Sequence, residues 1–263
     1  MKHLSLSPYC RGASRIVCAS LLTAAAGAAA LALPAIASAT PTVSLKAAIK
    51  PIPGFKHTGN ILGAGAILQT EIDISGTVYA GGPPPVTEVK GYFPKGTKIN
   101  TKGFTTCTAH ALEQKGTAGC PKKSSAGKTA PTDGFVSLGG ERVPETVAVS
   151  PFLVAGGGLD FWIEGDSPVK IEKLATGSWS FPSSGPVITV KVPLIETLPG
   201  APDASATHID TTLGGAQKKG KKVTYYGQVP KRCPKGGFPG RVVVSFLGGT
   251  SVTAATKVPC PKK

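Results

Sequence analysis

Glycine and proline together supply 58 of the 263 residues, and they are spread along most of the chain. Glycine costs a helix interior about 1 kcal/mol against alanine and proline about 3, so long helices are excluded over most of the length. Between these breakers lie short runs rich in Val, Ile, Thr and Phe. The clearest is 64–74, where Leu68, Thr70, Ile72 and Ile74 alternate with Gln69, Glu71 and Asp73. Period-two alternation puts one set on each face of a half-buried strand. The same reading predicts strands at 42–49, 87–93, 146–154, 159–164, 169–174, 187–194, 206–211, 223–229, 241–247 and 251–258. Gly248-Gly249-Thr250 between the last two predicts a hairpin. Many short strands at close spacing point to an all-β antiparallel sandwich or jelly roll.

The first forty residues do not belong to that pattern. Lys2, Arg11 and Arg15 precede a charge-free stretch from Ile16 to Ala39, broken by Pro34 and ending in Ala37-Ser38-Ala39. A basic start, an apolar middle and small residues at the exit predict a secretory signal peptide over 1–39. A retained anchor is the alternative, since the run is long enough to span a bilayer. Cleavage leaves 40–263 as a single β domain with no membrane span, secreted or associated with the cell envelope. A two-lobed arrangement dividing near 131–145 is the alternative organisation.

Export decides what the cysteines do. Cys10 and Cys18 leave with the signal, and Cys107, Cys120, Cys233 and Cys260 remain. Four thiols in an oxidising compartment predict two disulfides, of which three connectivities are possible. Proximity favours Cys107–Cys120 and Cys233–Cys260. A zinc site from Cys107, His110 and Cys120 would lack a fourth ligand, and a Cys107–His110 nucleophile would need a thiolate that survives oxidation. Thr108 to Gln114 is rich in helix formers, so one short helix is expected inside the first bridge.

Loss of Lys2, Arg11 and Arg15 from 29 basic residues leaves 26 against 14 acids, a net charge of +12. The cations cluster at Lys122-Lys123, Lys218-Lys219, Lys221-Lys222, Lys231-Arg232 and Lys262-Lys263. Such a surface attracts anionic partners, and for an exported protein these are wall polymers, acidic glycans or lipid head groups. Nucleic acid is not expected, because no recognition module occurs and aromatics do not interleave with the basic clusters.

YFPKGTKINTKGFTTC followed by CPKKSSAGKT, residues 92–129, resembles a segment of exported proteins of high-GC actinobacteria: P-x-G, a cysteine, then C-P-x-x-S-x-x-G. Pro94, Gly96, Cys107, Cys120, Pro121, Ser124 and Gly127 carry it. YYGQVPKRCPKGGFPGRVVVSF and the closing VPCPKK resemble the ends of such proteins. The resemblance implies an exported, disulfide-bearing β protein and brings no catalytic residue with it.

Chemistry is sparse. Gly127-Lys128-Thr129 has Lys122 where a phosphate loop needs its first glycine, and no nucleophile elbow occurs. No cofactor, metal or catalytic group is therefore assigned. Glu71-Ile72-Asp73-Ile74 resembles the start of the catalytic strand of laminarinase-type glycoside hydrolases, which implies a jelly-roll enzyme. Ser75 and Gly76 stand where that family's acid/base glutamate would follow, and a retaining mechanism needs both carboxyls. GGGLDFWIEGDSP places Asp160, Trp162, Glu164 and Asp166 on one strand face, suited to a sugar ring or to calcium. A solvent-facing polar row is equally expected of a strand that buries Phe161 and Ile163. The reading is an exported non-enzymatic β-sandwich, a surface- or matrix-associated structural or binding module of unknown ligand, whose basic exterior is suited to contact anionic envelope polymers. A carbohydrate-active enzyme, or a glycan- or calcium-binding module built on 159–164, is the alternative.

Overall fold

The computed structural model describes residues 39–55 and 61–261. The expected signal peptide lies outside the described residues, apart from Ala39. Residues 38–263 form one compact unit. Its strands are β1 (Thr42–Pro51), β2 (Ala66–Ser75), β3 (Val86–Tyr92), β4 (Lys98–Ile99), β5 (Ala130–Leu138), β6 (Glu141–Leu153) and β7 (Leu159–Gly165). They continue with β8 (Ile171–Ser180), β9 (Val187–Lys191), β10 (Ser205–Leu213), β11 (Ala216–Lys219), β12 (Lys222–Tyr225), β13 (Gly227–Gln228), β14 (Phe238–Phe246) and β15 (Ser251–Val258). The single α-helix among the described residues, α1, spans Ala109–Lys115.

Eleven strands join one antiparallel sheet in the order β1-β2-β10-β5-β6-β7-β8-β9-β3-β14-β15. The two ends of that order, β1 and β15, return side by side, so the sheet nearly closes into a barrel. The all-β class, the antiparallel pairing, the single short helix and both local disulfides agree with the sequence reading. The layered pair of sheets that a sandwich or jelly roll implies is not what the hydrogen bonds draw, since one ladder system runs through all eleven strands. A strongly twisted sheet of this width curls upon itself, and curling buries one face without a second sheet.

Alternation then sorts side chains between wall and bore. On β2, Ile72 and Ile74 are buried inside, while Glu71 and Asp73 face out and meet Lys46 and Ser44 of β1. On β7, Phe161 and Ile163 join the interior core with Ile171, Ala175 and Ile188. Residues 131–145, considered above as a lobe boundary, lie within β5, β6 and their turn, where Gly139 and Gly140 take left-handed φ of 60° and 86°. Gly134 of β5 sits at the bulge of β10, between Ala206 and His208, where any Cβ would collide with the Ser205 carbonyl. The expected β14–β15 hairpin is present, with Ser245 opposite Ser251 and positive φ at Gly248 and Gly249.

The barrel has two unlike ends. At one, residues 94–129 and 214–237 interlock: the Asn100 side chain donates to the Tyr225 carbonyl at 2.6 Å, and the Gln217 side chain donates to the Lys123 carbonyl at 2.6 Å. The β11–β12 ribbon and the Cys233–Cys260 bridge belong to this ribbon end. The opposite end is made by the β2–β3, β5–β6, β7–β8, β9–β10 and β14–β15 connections.

Candidate functional site

The acidic row of β7 is divided by the helix that the first disulfide holds. Thr108 caps α1, its side chain accepting from the Ala111 N–H at 3.1 Å. Seven residues are too few for a stable isolated helix, so packing and the Cys107–Cys120 bridge must hold it. Leu112 of α1 is fully buried against Cys107, Phe152 and Trp162 on the outer wall. Trp162 is consequently 4% exposed, and its indole N–H donates to Glu164 at 2.9 Å. Asp160 is also buried, and burial first, then the negative charge of Glu113, raises its pKa. Glu164 and Asp166 alone of the four border open surface, an open groove shared with Lys170 and Glu172. The row expected to face solvent as one platform is thus split between a buried half and an accessible half. Among the described residues, no three His, Cys, Asp or Glu side chains gather as a metal site would need.

Glu71 and Asp73 sit on the outer wall of β2, each held by a cation. Lys46 Nζ lies 3.3 Å from Glu71, and His208 of β10 lies 2.7 Å from Asp73 with its other ring nitrogen 3.1 Å from Asp210. The Asp73 hydrogen bond raises the His208 pKa, and the same contact lowers that of Asp73. The imidazole stays protonated to higher pH than usual, as a bridge between two carboxylates. His110 is exposed on α1.

A second concavity lies inside. The barrel holds a partly open space of about 310 Å³, walled by side chains such as Leu45, Leu68, Val89, Phe161, Ile188 and Ile209 from six different strands. Ligand pockets commonly start near 300 Å³ and are mainly apolar with few polar groups, so this space falls in their range. Its floor at the ribbon end is aromatic. Trp179 donates its indole N–H to the Tyr226 hydroxyl at 2.8 Å, and Phe93 and Phe104 pack on the pair. Burial pushes the Tyr226 phenol well above its ordinary pKa.

Polar groups border the space at both ends, Thr97 and Gln228 toward the ribbon end among them. Thr132, Glu145 and Ser205 line it, and each has a buried side-chain oxygen without a partner. The other Glu145 oxygen accepts from the Val169 N–H at 3.4 Å. Burial raises the Glu145 pKa, and this outweighs the lowering by that backbone bond. Two further charged residues touch the lining, but both are exposed: Asp133 accepts from Thr146, and Arg241 stacks on Tyr92. Glu145 is therefore the buried charge-bearing group of the interior.

Sequence reading left Glu145 outside every strand, because the β6 run was started at Thr146. A cavity was not anticipated either, since alternation shows which residues point inward and not whether they meet.

No family model matches the chain, and neither a curated protein nor a solved structure matches it. Among the described residues, no helix is long and apolar enough to cross a membrane. The two disulfides fit an oxidising, extracellular-type environment.

Proposed function

We propose that the mature protein is an exported, non-enzymatic binding module that carries a small apolar ligand inside its barrel. The observation behind this reading is the 310 Å³ interior space with its almost wholly aliphatic and aromatic wall. A packed interior leaves few voids larger than a water molecule, so a space this large departs from ordinary cores. An engineered apolar cavity of about 150 Å³ already takes up benzene and stays free of water. The signal-like leader, the disulfides and the resemblance to exported actinobacterial proteins support delivery outside the cytosol.

The site supplies affinity and no reaction. Glu145 accepts from the Val169 N–H and faces the negative charge of Asp166, and the carboxylates at Glu71 and Asp73 are held by Lys46 and His208 on the outer wall.

An uncharged naphthylamine dye, fluorescent in apolar surroundings, tests the reading. Its emission should rise on mixing with the folded protein and titrate to one site. Ala47→Phe, which fills the bore from β1, should abolish the rise while leaving the circular dichroism spectrum unchanged. Dye binding that persists in that variant would put the ligand elsewhere.

A further inference from the structure

The charge of the barrel is unevenly divided. Residues 94–129 and 214–237, which build the ribbon end and its flank, hold fourteen of the lysines and arginines and one acid, Glu113. All fourteen are exposed, and none takes part in an ion pair among the described residues. The lysines that do pair are Lys46, Lys90, Lys170 and Lys191, all outside these two segments. Lys218, Lys219, Lys221 and Lys222 crowd the tip of the β11–β12 ribbon, around Gly220 with its φ of 60°. Mutual repulsion at that tip is left uncompensated by the protein itself.

A second feature lies at the same end. Phe181, in the turn between β8 and β9, is 59% exposed, more than any other large apolar side chain described. The turn is packed onto the basic segment: the Phe93 N–H donates to the Pro186 carbonyl at 3.0 Å, and a Cβ on Gly185 would strike the Phe93 carbonyl. The turn that carries the exposed ring therefore lies against the backbone of residues 93–95, where the first basic segment starts. Unpaired cations at the same end as a projecting aromatic ring are suited to a surface that is negative outside and apolar beneath. A soluble polyanion would use the cations and leave the ring in water.

We infer that the ribbon end docks on an anionic lipid bilayer, with the lysine-rich segments against the head groups and Phe181 inserted at the interface. This rests on the carrier reading for its purpose, since an apolar cargo needs an apolar source. The same two segments supply Thr97, Ile99, Gln228 and Pro230 to the cavity wall, so docking brings the bilayer to the cavity's aromatic floor.

Vesicle co-sedimentation decides it, using neutral phosphatidylcholine vesicles and vesicles with added phosphatidylglycerol. Binding is expected only to the anionic vesicles, and it should fall as the screening length drops below about 10 Å. Each cation near such a surface contributes about fivefold, so replacing Lys218, Lys219, Lys221 and Lys222 by Gln should weaken binding roughly 100-fold or more. Phe181→Ser should weaken it severalfold with the salt slope unchanged. No vesicle binding, binding regardless of lipid charge, or a Phe181→Ser variant indistinguishable from wild type would each overturn the inference. Retention on a soluble polyphosphate without vesicle binding would assign the basic end to anionic polymers. Dye uptake in the same samples is read separately, so docking can fail while the carrier reading stands.

Discussion

If the bore is the ligand site, affinity should follow chain length up to a calculable limit. A methylene takes up about as much room as a water molecule, ~30 Å³, so 310 Å³ accommodates about ten of them. Each buried methylene contributes about 0.8 kcal/mol, close to a fourfold gain in affinity. A series of unbranched 1-alkanols, titrated directly by calorimetry, should therefore show a steep rise and then a break. Between roughly six and ten carbons the dissociation constant should drop about 200-fold, and longer chains should gain little more. Ala47→Phe takes up part of the same space and should move the break to shorter chains. Slopes below about twofold per methylene, or a break that ignores the substitution, would mean that the chains bind an outer surface.

Two further perturbations test the scaffold. Opening the Cys107–Cys120 bridge, with both residues changed to Ala, should cost about 3 kcal/mol on the chain-entropy model for a separation of 13 residues. In a Trp179→Phe background, Trp162 emission should also shift to the red as α1 loosens; unshifted emission and a loss under ~1 kcal/mol in urea titrations would show that the helix packs without the bridge. Burial raises the Glu145 pKa above 4.5, so the folded state holds this proton more tightly than the unfolded one. The resulting stability is complete below pH 4.5 and declines as pH rises through the folded value. Glu145→Gln removes that decline, and urea midpoints from about pH 4 to about pH 7 should flatten relative to wild type. Parallel curves would mean that the carboxyl is solvated in the native state.

Strand character was legible wherever one face was apolar and the other polar. The alternation at Leu68–Ile74 and the glycine turn before Ser251 both mark strands of the structure. β5 was missed because Pro131 and Gly134 are breakers by propensity, whereas the bulge of β10 requires a residue without a side chain at 134. The disulfide pairing followed from proximity and compartment. Two things were not readable. Asp160 and Trp162 are buried by α1, a contact made by residues some fifty positions earlier in the chain. Closure of the sheet depends on twist accumulated over eleven strands, and no local run of residues encodes it.

The seam between β1 and β15 gives the molecule its one line of weakness. Elsewhere the staves are stitched by backbone ladders, and widening the girth there would break several hydrogen bonds at once. Along this joint, packed side chains alone oppose lateral parting, and each edge shields the other from pairing with a stranger. On the carrier reading, a molecule too long to thread in lengthwise would part that joint before any laddered one.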